Sequence, residues 1–136
     1  MDSAIIQGSG DPVELAIVAW LDAKANRSGS QKTVQAYRTV VRDFQQWLRG
    51  QGMDLDAQPE ALTLLAQAWI SQRQLRPASR NQHLAILSSF YTFARKQNLL
   101  RMENPIERIE RAKVQAYAGA LPLEASEIRM RLKQID

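Results

Sequence analysis

Residues 30–48, SQKTVQAYRTVVRDFQQWL, contain the feature that most limits the fold, a run of apolar residues spaced three and four apart. This spacing places them on one face of an α-helix, whereas a half-buried strand would need apolar residues at every second position. Ser30 is suited to cap the helix, and Gly50-Gln51-Gly52 to end it. The buried face is then predicted to contain Val34, Tyr37, Val41, Phe44, Trp47 and Leu48.

Three further stretches have helical spacing, and no part of the sequence alternates convincingly as a strand would. The first helix is predicted to begin at Asp11-Pro12, a capping residue followed by proline at the first helical position, and to stop near residues 26–29. The third helix is predicted to cover about a dozen residues after Pro59. The fourth is predicted to run from a cap at Ser79 to about Gln97.

The remainder of the chain is predicted to be less regular. Asn104-Pro105 disfavours helix, residues 106–116 are predicted to be a short helix or a linker, and residues 117–122 a connection. Residues 124–135 have the spacing of one more amphipathic helix. The predicted fold class is all-α, a bundle-like or orthogonal cluster of four or five helices. Its single core is predicted to contain Trp20, Tyr37, Phe44, Trp47, Trp69, Leu84, Leu87 and Tyr91.

The charged residues are unevenly distributed along the 136 residues, whose net charge is +4. Residues 27–49 contain five basic and one acidic side chains, and residues 76–113 contain eight basic and three acidic ones. Acidic side chains outnumber basic ones in residues 1–26 and 50–75. This segregation favours a surface that faces a polyanion, although a solvated helix surface would show the same pattern.

The sequence offers little for catalysis or for a cofactor. It has no cysteine and one histidine, His83, so no Cys/His or multi-His metal site can form within it. Glu107 and Glu110 are interleaved with Arg108 and Arg111, as on a solvated ion-pair face. No apolar run is long enough to span a membrane, and the N-terminus lacks the features of a secretory signal. We therefore expect a non-enzymatic chain without a cofactor, located in the cytoplasm.

Several motifs occur together in one order. The fourth predicted helix begins Ser79-Arg80-Asn81, has regular apolar positions as far as Ala94, and is followed by Asn98-Leu99-Leu100 and Asn104-Pro105. Leu121-Pro122 then precedes Glu-Ala-Ser-Glu-Ile. Together with the second predicted helix, these motifs resemble the core-binding domain of tyrosine recombinases, the phage integrase family. The opening signature that carries this resemblance is Ser30-x-x-Thr33-x-x-x-Tyr37, followed by Val41, Phe44 and Trp47-Leu48.

The resemblance implies a SAM-like DNA-binding domain that grips duplex DNA at a recombination site. The family's nucleophilic tyrosine and its assisting residues belong to a catalytic domain that would begin near Leu121 and is missing here. Tyr37, Tyr91 and Tyr117 are therefore not expected to be nucleophiles. The implied division is a flexible tail over residues 1–10, the core-binding domain over residues 11–116, and a linker with a truncated helix over residues 117–136.

The resemblance also implies that the second and fourth helices direct their N-terminal ends towards double-stranded DNA, where free N–H groups favour phosphate. These are the two basic segments. The fragment is expected to be monomeric and its parent to assemble as a tetramer on DNA, with no membrane partner. Two alternatives are a helical protein-interaction module and a helix-turn-helix regulator. The predicted DNA-binding residues are Gln31, Lys32, Thr33, Gln35, Arg38, Arg42, Arg76, Ser79, Arg80, Asn81, Gln82 and His83.

Overall fold

The computed structural model describes residues 11–113, which form four α-helices and no strand. These are α1 (Pro12–Ser28), α2 (Gln31–Gly50), α3 (Pro59–Gln72) and α4 (Pro77–Lys96). Helices α2 and α4 pack against each other, and each also contacts both α1 and α3. The predicted all-α fold class is confirmed. The first basic segment, residues 27–49, lies mostly on α2, and the second, residues 76–113, covers α4 and the segment that follows it.

Other predictions concern parts of the chain outside the described residues. They are the flexible tail at residues 1–10, the connection at residues 117–122 and the helix at residues 124–135. Within residues 11–113, no helix combines the length and apolar character that a membrane span requires.

The starts of α1 and α2 follow the predicted capping chemistry. The Asp11 carboxylate accepts a hydrogen bond from the Val13 amide at 2.9 Å, and the Ser30 hydroxyl accepts one from the Thr33 amide at 3.3 Å. Between the two helices, Gly29 adopts the left-handed conformation with φ of 67° and its N–H bonds to the carbonyl of Ala25. Glycine tolerates this conformation without a steric penalty, so α1 ends where the sequence predicts.

The predicted cap of α4 was wrong. The helix begins two residues before Ser79, with Arg76 at the N-cap position and Pro77 at the first helical position. Proline is favoured there because its fixed φ suits the helix and its missing N–H would have no intrahelical partner. The connection from α3 is only four residues long, and Gln74 within it has a positive φ of 52°.

The core is continuous across all four helices and includes nearly all of the predicted residues. Two aromatic residues are exceptions, because Tyr37 and Trp47 are only partly buried and pack against the edge of the core. Trp47 stacks on Phe44 with 6.5 Å between the ring centroids. The sequence pattern also missed Val40 and Gln45, which are buried on α2. The buried members of the predicted set are Trp20, Phe44, Trp69, Leu84, Leu87 and Tyr91.

The segment after α4 contains turns, not a helix, as far as residue 113. Asn104 fixes its start, since its side-chain oxygen accepts a hydrogen bond from the Ile106 amide and its side-chain nitrogen lies 2.9 Å from the Ser88 hydroxyl. Ile106 and Ile109 are buried in the core. As far as residue 113, the segment is therefore packed onto the helices as turns, without the short helix that was one of the two predicted possibilities.

Candidate nucleic-acid interface

The first half of α2 presents a row of polar side chains to solvent. Gln31, Lys32, Gln35 and Arg38 are exposed, and the Arg38 guanidinium donates a hydrogen bond to the Gln35 side chain at 2.6 Å. Thr33 is more enclosed, since its hydroxyl donates to Ser30 at 3.2 Å. The first turn contains no acidic residue. This end of α2 can therefore attract an anion through its N–H groups and its side chains.

The start of α4 has similar properties. Its first turn also has no acidic residue, and no side chain caps it by a hydrogen bond. Arg76 and Gln82 are exposed, whereas Ser79 and Arg80 are partly buried. The N–H groups at this end of α4 are thus left without a side-chain acceptor, which suits them to phosphate oxygens.

A cavity of about 490 Å³ lies between the first half of α2 and His83 in the first half of α4, and we call it the α2–α4 cavity. It brings together Lys32 and Gln35 of α2 and His83 of α4, three residues that the sequence predicts as binding residues from segments far apart in the chain. It also includes Arg73, which the sequence analysis missed because it lies in a segment with net negative charge. The lining residues are Lys32, Gln35, Ala36, Thr39, Val40, Arg73 and His83.

Arg73 and His83 are held by the same indole ring. The guanidinium carbon of Arg73 lies 4.6 Å from the ring centroid of Trp69, and the His83 ring is stacked on Trp69 at 6.5 Å. Arg73 also lies 3.9 Å from the Asp43 carboxylate. Cation–π contact and this carboxylate together fix the guanidinium at the edge of the cavity.

His83 is partly buried. Burial, followed by the positive charge of Arg73, lowers the pKa of His83 below its ordinary value of 6.5, while Asp43 acts in the opposite direction. These effects therefore favour the neutral imidazole. Within residues 11–113, His83 Nδ1 and Arg73 Nε are the buried side-chain nitrogens without a hydrogen-bond partner.

Arg42, another predicted binding residue, lies away from the α2–α4 cavity. Its guanidinium makes a two-pronged ion pair with Glu14 of α1, with distances of 2.7 and 2.9 Å, and donates to Gln45 at 3.0 Å. The hydrogen bond from Arg42 lowers the pKa of Glu14 and raises that of Arg42 itself. The Arg42 side chain is thus engaged in a contact between α1 and α2.

The side chain of Asn81, also a predicted binding residue, forms hydrogen bonds with the backbone of the segment after α4. Its side-chain nitrogen donates to the Ala112 carbonyl and its side-chain oxygen accepts from the Ala112 amide, both at 2.7 Å. Arg80 donates to the Glu110 carbonyl at 3.2 Å. The segment after α4 has therefore turned back to lie beside the first turns of α4.

These features define a class of protein, an all-α domain with a basic surface built from the N-terminal ends of two adjacent helices. The family model described as "Phage integrase, N-terminal SAM-like domain" matches residues 17–98. This is more than half of the chain, so the chain belongs to that family and the predicted resemblance is confirmed. Comparisons with curated proteins and with solved structures gave no match.

Proposed function

We propose that the chain is the core-binding domain of a tyrosine-type site-specific recombinase and that it grips duplex DNA at the recombination site. The observation that carries this proposal is the α2–α4 cavity, in which Lys32 and Gln35 from one basic segment meet His83 from the other. Two positively charged helix ends at one surface match the negative charge of a DNA backbone.

The residues of this surface suit two kinds of contact. Lys32, Arg73 and Arg76 supply charge for phosphates, which fix the position of a protein on a duplex. Gln35 and Gln82 supply the donors and acceptors that can read base edges in the major groove, while Arg38 can contact either a phosphate or a guanine. Arg42 contributes to the fold of the domain through Glu14, and Asn81 through Ala112.

The parent protein is proposed to carry the strand-cleaving tyrosine in a separate catalytic domain, to assemble as a tetramer on DNA, and to act in the cytoplasm. The 136-residue chain alone is proposed to be monomeric and to bind DNA without catalysing a reaction. The domain limits at residues 11–116 remain part of this proposal.

A helix-turn-helix regulator was one of the two alternatives. Helix α4 does follow a partner helix across a short turn, since only four residues connect it to α3. The integrase proposal is favoured because the family match spans both of these helices and extends over most of α1 and all of α2.

The test is salt-dependent binding to a mixed-sequence duplex, measured by fluorescence anisotropy. If four to six phosphates are contacted, log K should fall with log[salt] with a slope of about −4 to −5. Lys32→Ala with Arg38→Ala should make the slope shallower by about 2 if both contact phosphate. The matched control is Arg95→Ala with Arg101→Ala, since both are exposed near the C-terminal end of α4. Equal weakening by the two pairs would refute the proposed surface.

A further inference from the structure

The segment after α4 runs back along that helix and is attached to it at both ends. At its start, the side-chain nitrogen of Asn104 donates to Ser88 and Thr92, in the second half of α4. At its end, both polar atoms of the Asn81 amide bond to the backbone of Ala112. The direction of the segment is thus set, and its last described residues lie beside the N-terminal half of α4.

This course brings Arg111 to a second basic site. A groove of about 460 Å³ lies between α1 and α4, and we call it the α1–α4 groove. Three elements supply its positive charges: Lys24 and Arg27 come from α1, Lys96 from α4, and Arg111 from the returning segment. None of its lining residues is acidic, and within residues 11–113 none of the four cations forms a salt bridge.

Two hydroxyl oxygens in this groove already accept hydrogen bonds from the domain. The Ser89 oxygen accepts a hydrogen bond from the Trp20 indole at 3.2 Å, and the Thr92 oxygen accepts one from Asn104 at 3.2 Å. Each hydroxyl keeps its own hydrogen for another acceptor. Cations and O–H donors without a competing carboxylate form a site for phosphate oxygens.

The groove continues from the surface proposed to bind DNA. Ala85, in its lining, is one helical turn beyond Asn81, and Arg27 lies three residues before Ser30, the cap of α2. The end of the groove that contains Arg27 and Arg111 is therefore next to the N-terminal ends of α2 and α4.

We propose that the α1–α4 groove binds backbone phosphates of the same duplex, flanking the contacts made by α2 and α4, and that Asn81 is a positioning residue acting through Arg111. This proposal rests on the proposed DNA-binding function. It assigns Asn81 to holding the returning segment in place, while the contact with DNA is made by Arg27 and Arg111.

The first experiment measures the salt slope of DNA binding for the full 136-residue chain carrying Arg27→Gln and Arg111→Gln. Each lost phosphate contact should make the slope shallower by about 0.9, so the pair should change it by between one and two. Arg95→Gln with Arg101→Gln, which removes the same charge outside the groove, should leave the slope unchanged. An unchanged slope for the Arg27 and Arg111 pair would overturn the proposal.

The second experiment asks how Asn81 acts. Asn81→Ala should speed hydrogen exchange of the Ala112 amide and make the salt slope shallower by about one. In a chain that already carries Arg111→Gln, Asn81→Ala should have no further effect on the slope. Equal weakening in both backgrounds would show that Asn81 contacts DNA directly and would refute the positioning role.

Two other results separate this proposal from its alternatives. Suppose that Lys32→Ala with Arg38→Ala leaves DNA binding unchanged while the groove variants weaken it. That result would refute DNA binding by the α2–α4 surface and support phosphate binding by the α1–α4 groove. If the Arg27 and Arg111 pair changes the sedimentation of the DNA-free protein and leaves DNA binding intact, the groove binds an acidic surface of a second copy, and the DNA proposal for it fails.

Discussion

The two halves of α2 contain similar polar residues but make different contacts. In the first half, the one side-chain hydrogen bond of Arg38 within residues 11–113 is to its helix neighbour Gln35, and Arg38 is exposed. In the second half, Arg42 is paired with Glu14 and Arg49 with Asp54, both at 3.0 Å or less. The side chains are the same, so the difference lies in whether the fold brings a carboxylate within reach. A basic helix face can therefore be partly a binding surface and partly a structural one.

Gln45 connects the charged side chains in the second half of α2, which we call the structural half. It is 3% exposed, accepts a hydrogen bond from Arg42, and donates to Asp54 at 3.2 Å. Asp54 also accepts from the Leu55 amide, and the Leu55 carbonyl accepts from the buried Tyr91 hydroxyl at 2.7 Å. This network ties the loop after α2 to both central helices.

The largest effect on the free energy of unfolding is expected at Trp69, which contacts both the structural half of α2 and the α2–α4 cavity. Trp69 contacts Phe44 of the structural half, with 5.0 Å between the ring centroids. Its ring also contacts the Arg73 guanidinium and the His83 ring, which line the α2–α4 cavity. Trp69→Ala should lower the free energy of unfolding by about 3–5 kcal/mol, because the indole is buried. Urea unfolding measures this loss, and Trp47→Ala should cost less because Trp47 is only partly buried. Equal costs would show that exposure does not distinguish the two residues.

The next largest effect is expected at Gln45. Gln45→Ala leaves Arg42 and Asp54 without their shared partner inside the domain, which should cost about 1–3 kcal/mol in unfolding free energy. Gln46→Ala, at an exposed neighbouring position, is the matched control and should change stability little. Thermal and urea denaturation of the two variants would check this. A cost no larger than that of the control would mean that the network adds nothing to stability.

The comparison of the two halves is sharpest between Arg42 and Arg38. Arg42→Ala should lower the unfolding free energy by about 1 kcal/mol, since its ion pair is two-pronged but partly solvated. Arg38→Ala should leave the unfolding free energy nearly unchanged and weaken DNA binding. Both the unfolding free energy and the DNA affinity should be measured for both variants. Arg42→Ala should lose mainly stability, and Arg38→Ala should lose mainly DNA binding. Parallel losses in the two variants would remove the distinction between the halves.

The smallest effect concerns pH. The pKa of Glu14 is lowered by its hydrogen bond to Arg42, so the pair stabilises the fold fully above the unfolded-state pKa of about 4.3. This contribution is lost as the pH falls through the lower, folded-state pKa. Glu14→Gln should therefore be less stable than wild type at pH 7, by less than about 1 kcal/mol because the pair is half exposed. The two curves should converge in acid, and a constant gap down to pH 2 would contradict the assignment.

Much of the fold could be predicted from the sequence because its signals are local. The Asp11 and Ser30 caps, the Gly29 stop and the apolar spacing act through residues within one or two helical turns. The same reasoning failed at Ser79, where Pro77 started the helix earlier. It also placed Tyr37 and Trp47 in the core, since spacing gives the face of a helix but not how far the neighbouring helices cover it.

The sequence by itself determined the four helices, the family and the two segments of positive charge. Only the tertiary structure decided which polar residues are available for binding. It paired Arg42 with Glu14 across 28 positions, joined Asn81 to Ala112 across 31, and brought Arg73 into the cavity with His83. The physical reason is distance, because an ion pair or a hydrogen bond acts over about 3 Å, and only the packing of the helices sets which distant side chains come that close.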